Sequence, residues 1–299
     1  MDSLEKAHLV SMIRQAAKPL PLVEPALPPR FEALRRAKLE VKPKAVLLDV
    51  YGTLFSSAAG DIGLAAPADG GGVSVALEGL AGEYGLGGAQ MQGFFRQKVA
   101  EIHKGLSHKG SWPEVRVEEI WSGFLAGRGL SAGLKAAREL ALRYELAVNP
   151  VFPMPGAREA IGGLSASGFP LGIISNAQFF TPLLFEAFFD ASAEGLGFDP
   201  GLLIWSFEHE AAKPSPELFD KAAQGLLSRG VKACECLFAG NDMLSDIFGA
   251  RLAGFAAVLF AGDSRSLRLR EGDARLAQTE PSLVIRALGE LPGLLQNCP

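Results

Sequence analysis

The sequence predicts an α/β fold, a doubly wound parallel sheet with an all-helical insert after the first strand. Three observations predict it. Short apolar runs, too brief for helices, recur along the chain and each ends in or near a polar residue. Helical patterns separate the later runs, as parallel crossovers require. Between the first run and the second, residues 57–151 carry helical periodicity and no convincing strand pattern.

Taken in order, residues 1–43 read as an N-terminal proline-rich extension. Leu4 to Ala17 is amphipathic. Lys18 to Pro29 is so dense in proline that it forbids helix and favours an extended chain on a surface. Apolar residues between the prolines suggest self-docking more than recognition by a proline-binding partner. Phe31 to Val41 is expected to form another helix. Ala45 to Leu48 is the first buried strand, running straight into Asp49 and the loop Val50-Tyr51-Gly52-Thr53. Ser56 to Gly72 is rich in small residues. Val75 to Tyr144 reads as helical, with apolar residues at three- and four-residue intervals. From Val151 strands return: Phe169 to Ile174, Leu202 to Phe207, Cys236 to Ala239 and Phe255 to Phe260. Helices over Ala157 to Gly168, Pro182 to Phe189, Pro216 to Leu227 and Leu244 to Ala253 alternate with them. The sheet is therefore assigned to residues 44–56 and 152–299, and the insert to 57–151.

At 299 residues with 48% apolar and 21% charged content, the chain can bury a substantial core. A net charge of −4 gives no basic field for nucleic acid. No apolar run reaches the roughly 18 residues of a membrane span, and the N-terminus lacks a signal-peptide pattern. A cytoplasmic location without membrane association is expected. Cys234, Cys236 and Cys298 do not make a disulfide framework. Cys234 and Cys236 are expected to begin a strand and share one face.

The polar residues at the strand ends make chemical sense together. Asp49 ends the first strand and Ser175-Asn176 the second. Lys213 precedes a helix opened by Ser215 as N-cap and Pro216 as first residue. Gly240-Asn241-Asp242-Met243-Leu244-Ser245-Asp246 ends the fourth strand and enters a helix closed by Gly254. A carboxylate nucleophile beside an anionic substrate needs a cation, and Lys213 supplies one. Asp242 and Asp246, with Asp49, could hold a hard divalent ion through oxygen, and Mg²⁺ suits phosphate. Thr53, Ser175, Asn176 and loop N–H groups, Gly52 among them, could bind the oxygens of a transferring group. Each residue alone has a plainer explanation as a cap, turn or solvated charge; four such strand-end sites in this order do not.

These segments resemble the haloacid dehalogenase (HAD) superfamily. Asp49-Val50-Tyr51-Gly52-Thr53-Leu54 is similar to its first motif, Ile174-Ser175-Asn176 to its second, Lys213-Pro214-Ser215-Pro216 to its third, and Gly240 through Ala250 to its fourth. The resemblance spans roughly residues 44–262. It implies a Rossmannoid core, a helical cap closing over the site, and Asp49 as the nucleophile of an aspartyl ester that water hydrolyses. It also implies Mg²⁺ held by Asp49, the backbone carbonyl of Tyr51 and an acid of the fourth motif.

The pattern departs from the family at two places. Phosphatases of the superfamily carry a second Asp two residues after the nucleophile; here Tyr51 stands there, and a phenol with a pKa near ~10 is a poor base at neutral pH. L-2-haloacid dehalogenases share this tyrosine, and their leaving halide needs no proton. Phe95-Arg96-Gln97-Lys98 also resembles the segment carrying their arginine, so Arg96 is a candidate to bind a carboxylate or halide; the plainer reading is a solvated helix face. The family normally places Asp where this chain has Asn241. Either Asp242 takes over the metal or Asn241 coordinates it through its amide oxygen; Asp242 is favoured, with Asp246 as a ligand or as a partner of Lys213. Asp61, His103, His108 and Glu114 could tune specificity, and Arg265, Arg268 and Arg270 read as a basic surface loop. The expected function is a Mg²⁺-dependent phosphatase of a small phosphorylated metabolite, with no nucleic-acid or membrane partner and a homodimer compatible with the sequence. The alternatives are a 2-haloacid dehalogenase-like hydrolase and a catalytically weak HAD-like binding protein.

Overall fold

In the computed structural model, which describes residues 1–57, 73–106, 112–130 and 133–296, six parallel strands form one sheet in the order β5-β4-β1-β6-β7-β8. They are β1 (Ala45–Leu48), β4 (Leu171–Ser175), β5 (Leu203–Trp205), β6 (Cys236–Gly240), β7 (Ala256–Phe260) and β8 (Leu283–Ile285). The predicted α/β fold with a doubly wound parallel sheet is observed. Because the sheet is covered on both faces, its strands are continuously apolar, and alternation assigns them to two cores. Val46, Leu48, Ile173 and Val258 face one core. Ala45, Leu47, Ile174 and Leu259 face the other. The chain winds from β1 to β4 and β5 on one side, then returns to place β6 on the other side of β1. Winding reverses at β1, so the crevice at its C-terminal end is where such sheets bind ligands.

Two further strands, β2 (Phe55–Ser57) and β3 (Val151–Pro153), pair antiparallel and bring the two ends of the insert together. The insert's described helices are α3 (Val75–Gly82), α4 (Gly88–Leu106), α5 (Val117–Ala126) and α6 (Leu134–Val148). Neither the pair β2–β3 nor β8 was expected, since three residues carry too little alternation to read. The crossover helices are α7 (Ala157–Ser165), α8 (Leu183–Phe189), α9 (Ser206–His209), α10 (Pro216–Leu227) and α11 (Gly249–Leu252), and α12 (Leu291–Gln296) follows β8. α10 has the predicted bounds, with Ser215 accepting from the Glu217 N–H. The helix expected over Leu244 to Ala253 is instead a π-helical turn, Met243–Phe248, followed by α11.

The N-terminal extension docks on the rest of the chain. Helix α1 (Ser3–Ala16) buries Leu9, Val10 and Ile13 and bridges two partners. Toward α8, Arg14 donates to the Glu186 and Ala187 carbonyls at 2.8 and 2.9 Å, and Lys6 pairs with Glu186. Toward α6, Glu5 meets Arg138 at 3.3 Å and His8 meets Glu139 at 3.2 Å. The proline segment pairs through Val23, whose N–H reaches Asp263 at 3.1 Å and whose carbonyl accepts from Ser264 at 2.7 Å. Helix α2 (Pro29–Leu34) is shorter than the expected Phe31 to Val41. The chain leaves it in a turn and becomes extended, which lets Leu39 bury. Cys234 and Cys236 do not share a face. A 3₁₀ turn over Ala233–Glu235 leaves Cys234 exposed, and only Cys236 enters β6. Cys298 lies outside the described residues. No helix among the described residues is long and apolar enough to cross a membrane.

Candidate functional site

Asp49 is only 5% exposed at the end of β1, between the ends of β4 and β6. Its two oxygens have different surroundings. Oδ1 accepts from Lys213 Nζ at 2.7 Å and from Ser175 Oγ at 3.1 Å. Oδ2 meets Thr53 Oγ1 at 3.4 Å, long for a hydroxyl donor. That hydroxyl also lies 3.1 Å from Asn241 Oδ1, and its one proton cannot serve both acceptors. Asn241 is oriented by Nδ2, which donates to the Ser266 carbonyl at 2.6 Å. Gly52 makes this approach possible: at φ +84° its backbone suits glycine, and a Cβ there would lie 2.4 Å from Asn241 Nδ2. The Gly52 N–H donates to the Phe55 carbonyl at 2.7 Å, and the Thr53 N–H to the Val50 carbonyl at 3.2 Å. Neither is an open donor for a phosphoryl oxygen, contrary to the expectation for this loop.

Lys213 joins two carboxylates, since Nζ also reaches Asp246 Oδ1 at 2.5 Å. All three groups are buried. Burial opposes the Lys213 charge, but the carboxylates of Asp246 and Asp49 more than offset it, and its pKa lies above the ordinary value. Burial pushes the Asp246 carboxyl up to about 7; Lys213 opposes the rise, and the charges of Asp49 and Asp242 add to it. Asp246 Oδ2 accepts the Asp242 N–H at 2.9 Å. A Cβ at Gly240 would fall 2.4 Å from the Asp246 carboxyl carbon, so only glycine lets β6 end against it. Asn176 holds the lysine loop by its backbone, accepting from Lys213 N–H at 2.6 Å.

Three expected residues stand elsewhere. Asp242, favoured from sequence as the metal acid, turns away from Asp49. It caps the π-helical turn, accepting from Leu244 and Ser245 N–H at 2.8 and 3.2 Å, and pairs with Arg270 at 2.6 Å. Neighbouring side chains in extended backbone point oppositely, so Asn241 takes the inward direction. Arg96 is exposed. The face of α4 that lines the cavity is Phe95, Val99 and His103, a stripe at intervals of four that leaves Arg96 one position off. The Tyr51 hydroxyl bonds Thr181 Oγ1 at 3.0 Å. Burial first, then the charges of Glu145 and Asp49, hold the phenol proton far above neutral pH. Tyr51 is packed rather than poised to exchange protons.

Above these residues lies a cavity of about 490 Å³ between the sheet's loops and the insert. Lys213, Asn176 and Ser245 line its core side; Phe95, Val99, Trp112 and Val117 line the other. Arg270, which reads from sequence as part of a surface loop, and Arg275 also line it. Nothing local in the sequence marks Arg275, Trp112 or Gln178. Gln178 ties the loop after β4 to the insert, donating to the Val115 carbonyl at 2.8 Å and accepting from Val117 N–H at 3.2 Å. Glu114 belongs to the same tie, accepting from Ser206 Oγ at 2.6 Å. Asp61 and His108 lie outside the described residues.

A family model of haloacid dehalogenase-like hydrolases matches residues 43–254, and the chain belongs to that family. Among solved structures it is similar to the L-2-haloacid dehalogenase RSc1362, with 19% identity, TM-score 0.52, and coverage of 86% of this chain and 100% of that one. It is similar to a HAD phosphatase from Thermococcus onnurineus, with 24% identity, TM-score 0.50, and coverage of 85% and 99%. An L-2-haloacid dehalogenase from Xanthobacter autotrophicus with covalently bound chloropropionic acid has 22% identity, TM-score 0.49, and coverage of 86% and 100%. At these identities the likeness is one of fold. No curated protein sequence matches the chain.

The superfamily generally uses Mg²⁺. Among the described residues no group of three or more His, Cys, Asp or Glu side chains is arranged to hold a metal. Lys213 and the Asp242 N–H take both oxygens of Asp246. What faces inward is an all-oxygen pair, Asp49 Oδ2 and Asn241 Oδ1, sharing one hydroxyl proton. That donor chemistry fits Mg²⁺ held by one carboxylate and completed by water and substrate.

Proposed function

We propose that this hydrolase acts on a small phosphorylated metabolite through a covalent ester on Asp49. The observation that carries the reading is the asymmetry of the Asp49 carboxylate, which is bound to Lys213 in the cavity wall. Lys213 and Ser175 hold Oδ1 in place, which fixes the carboxylate while Oδ2 keeps a single long contact to Thr53, as an oriented nucleophile requires. Lys213 offsets charge as an anion approaches, and Arg270 and Arg275 place further guanidinium groups in the cavity wall. Bound Mg²⁺ would rest on Asp49, Asn241 and the Tyr51 carbonyl and would offset negative charge on the phosphoryl oxygens. The insert acts as the cap that encloses the substrate. In a test with 4-nitrophenyl phosphate, we expect turnover that EDTA removes, Mg²⁺ restores and Asp49→Asn abolishes. Absence of hydrolysis across a broad phosphate panel would overturn the proposal.

Dehalogenation of a 2-haloacid is the second reading. It is favoured by Tyr51 being fixed on Thr181 and by Asn241, not an acid, facing Asp49. A cavity of about 490 Å³ is far larger than a three-carbon haloacid needs, so we rank it second. Chloride release from 2-chloropropionate in EDTA would reverse the order.

A further inference from the structure

We propose that the substrate is an aryl phosphate, whose phenolic oxygen departs without a proton from any side chain and whose ring lies on the apolar wall of the cavity. This rests on the phosphatase reading above and narrows it. Two independent observations carry it: the engagement of the acids near the cavity, and the composition of its walls.

Among the described residues, the acids around the cavity are already engaged as acceptors. Glu114 accepts from Ser206 Oγ at 2.6 Å and from Val115 N–H at 2.9 Å. Asp242 accepts from two backbone N–H groups and from Arg270. Asp246 does not line the cavity, and both its oxygens accept. The Tyr51 hydroxyl is committed to Thr181. His103 lines the cavity, but burial lowers its pKa, so it enters neutral solution without the proton an acid must give. An alkoxide expelled here would leave unprotonated, at a large cost. A phenoxide, with a conjugate-acid pKa near ~10 or lower, would not.

The walls fit the same conclusion. Phe95, Val99, Val115, Val117, Leu244 and Trp112 supply apolar surface, and the Arg275 guanidinium lies 5.0 Å from the Trp112 ring. An indole in a cavity wall offers a face on which a further ring can lie. Cations and an apolar slot in one cavity suit a molecule that is anionic at one end and aromatic at the other. In the first step a carboxylate oxygen of Asp49 forms a bond to phosphorus and the phosphorus–aryl oxygen bond breaks, its electron pair leaving on the phenoxide. Water then attacks the phosphorus of the aspartyl phosphate. The Asp49–phosphorus bond breaks, the carboxylate is regenerated, and the water's proton passes through solvent to the phenoxide. The sum is aryl phosphate plus water giving phenol plus phosphate.

The test is a leaving-group series on the full chain with Mg²⁺: substituted phenyl phosphates over a range of phenol pKa, two alkyl phosphates and acetyl phosphate. We expect kcat/KM to fall steeply as phenol pKa rises, and alkyl phosphates to react at least about 100-fold more slowly than phenyl phosphate. Trp112→Ala should raise KM for phenyl phosphates roughly three- to tenfold while leaving KM for acetyl phosphate unchanged. Equal rates for alkyl and phenyl phosphates would overturn the inference and leave the phosphatase reading standing. So would turnover of acetyl phosphate without phenyl phosphate, or an unaltered KM in Trp112→Ala. No hydrolysis of any member would overturn both.

Discussion

The core wall of the cavity is polar and hydrogen-bonded, whereas the insert behind the opposite wall is held by rings. Behind that wall, to which Lys213 belongs, Asp49, Lys213, Asp246 and Ser175 fix one another, and Asn241 is held by the Ser266 carbonyl. In the insert, Phe95 stacks on Trp121 at 5.7 Å, and Tyr144 and Phe124 close on Trp121 at 4.8 and 5.2 Å. The difference teaches where chemistry and recognition are kept. Polar side chains anchored to a parallel sheet hold reacting atoms rigidly. An aromatic cluster sets shape and volume, and tolerates change without disturbing charge.

The largest expected effect is on the polar wall. Asp49→Asn should lower kcat by at least about 10³-fold, as removal of a nucleophile does, with a urea midpoint that stays measurable; activity above that level would break the comparison at its centre. Lys213→Met should cost about 3–5 kcal/mol of unfolding free energy, because it leaves Asp49 and Asp246 buried without their cation; urea titration reads this directly. Trp121→Ala, behind the aromatic wall, should cost a similar amount, roughly 3–5 kcal/mol, through a cavity. It should leave kcat on acetyl phosphate within about threefold at a temperature where it stays folded, and a large drop in kcat would show that the insert takes part in the chemistry.

Smaller effects sharpen the contrast between Asn241 and Asp242. Asp242→Ala should lose about 1 kcal/mol as a missing cap, while Asn241→Ala should lower kcat at least about tenfold with little change in stability; the reverse result would return the metal to Asp242. A further check is the pH dependence of Asp246. Its folded pKa of about 7 lies above the ordinary 3.8, so between those values the folded state binds more protons than the unfolded one. Its contribution to stability therefore falls as pH rises through that window. Asp246→Asn should flatten that slope in urea titrations at pH 4.5, 6 and 7.5.

Much of the fold was legible because buried parallel strands are uninterrupted apolar runs, and Ala45 to Leu48 and Leu171 to Ile174 are such runs. Asp49 and Ser175 were legible because a strand end fixes where its residues must lie, and Lys213 because it stands just ahead of a helix whose cap and first residue can be read. The direction of Asn241 against Asp242 was not legible. Both are plausible ligands by type, and one backbone rotation decides which faces in. Arg96 was misplaced for the same reason on a helix, one residue away from the stripe of Phe95, Val99 and His103. Arg270 and Arg275 lie far along the chain from the other cavity residues, with no spacing that marks them.

By itself the sequence determined five of the six strands of the main sheet, several of its helices and the polar residues that gather near Asp49, because those follow from local periodicity and from the order in which strands end. Only the tertiary structure decided that Asn241 faces Asp49, that Tyr51 is spent on Thr181, and that Trp112 and two arginines share the cavity. Those choices depend on side-chain directions and on contacts between distant segments, and they follow from packing rather than from any pattern along the chain.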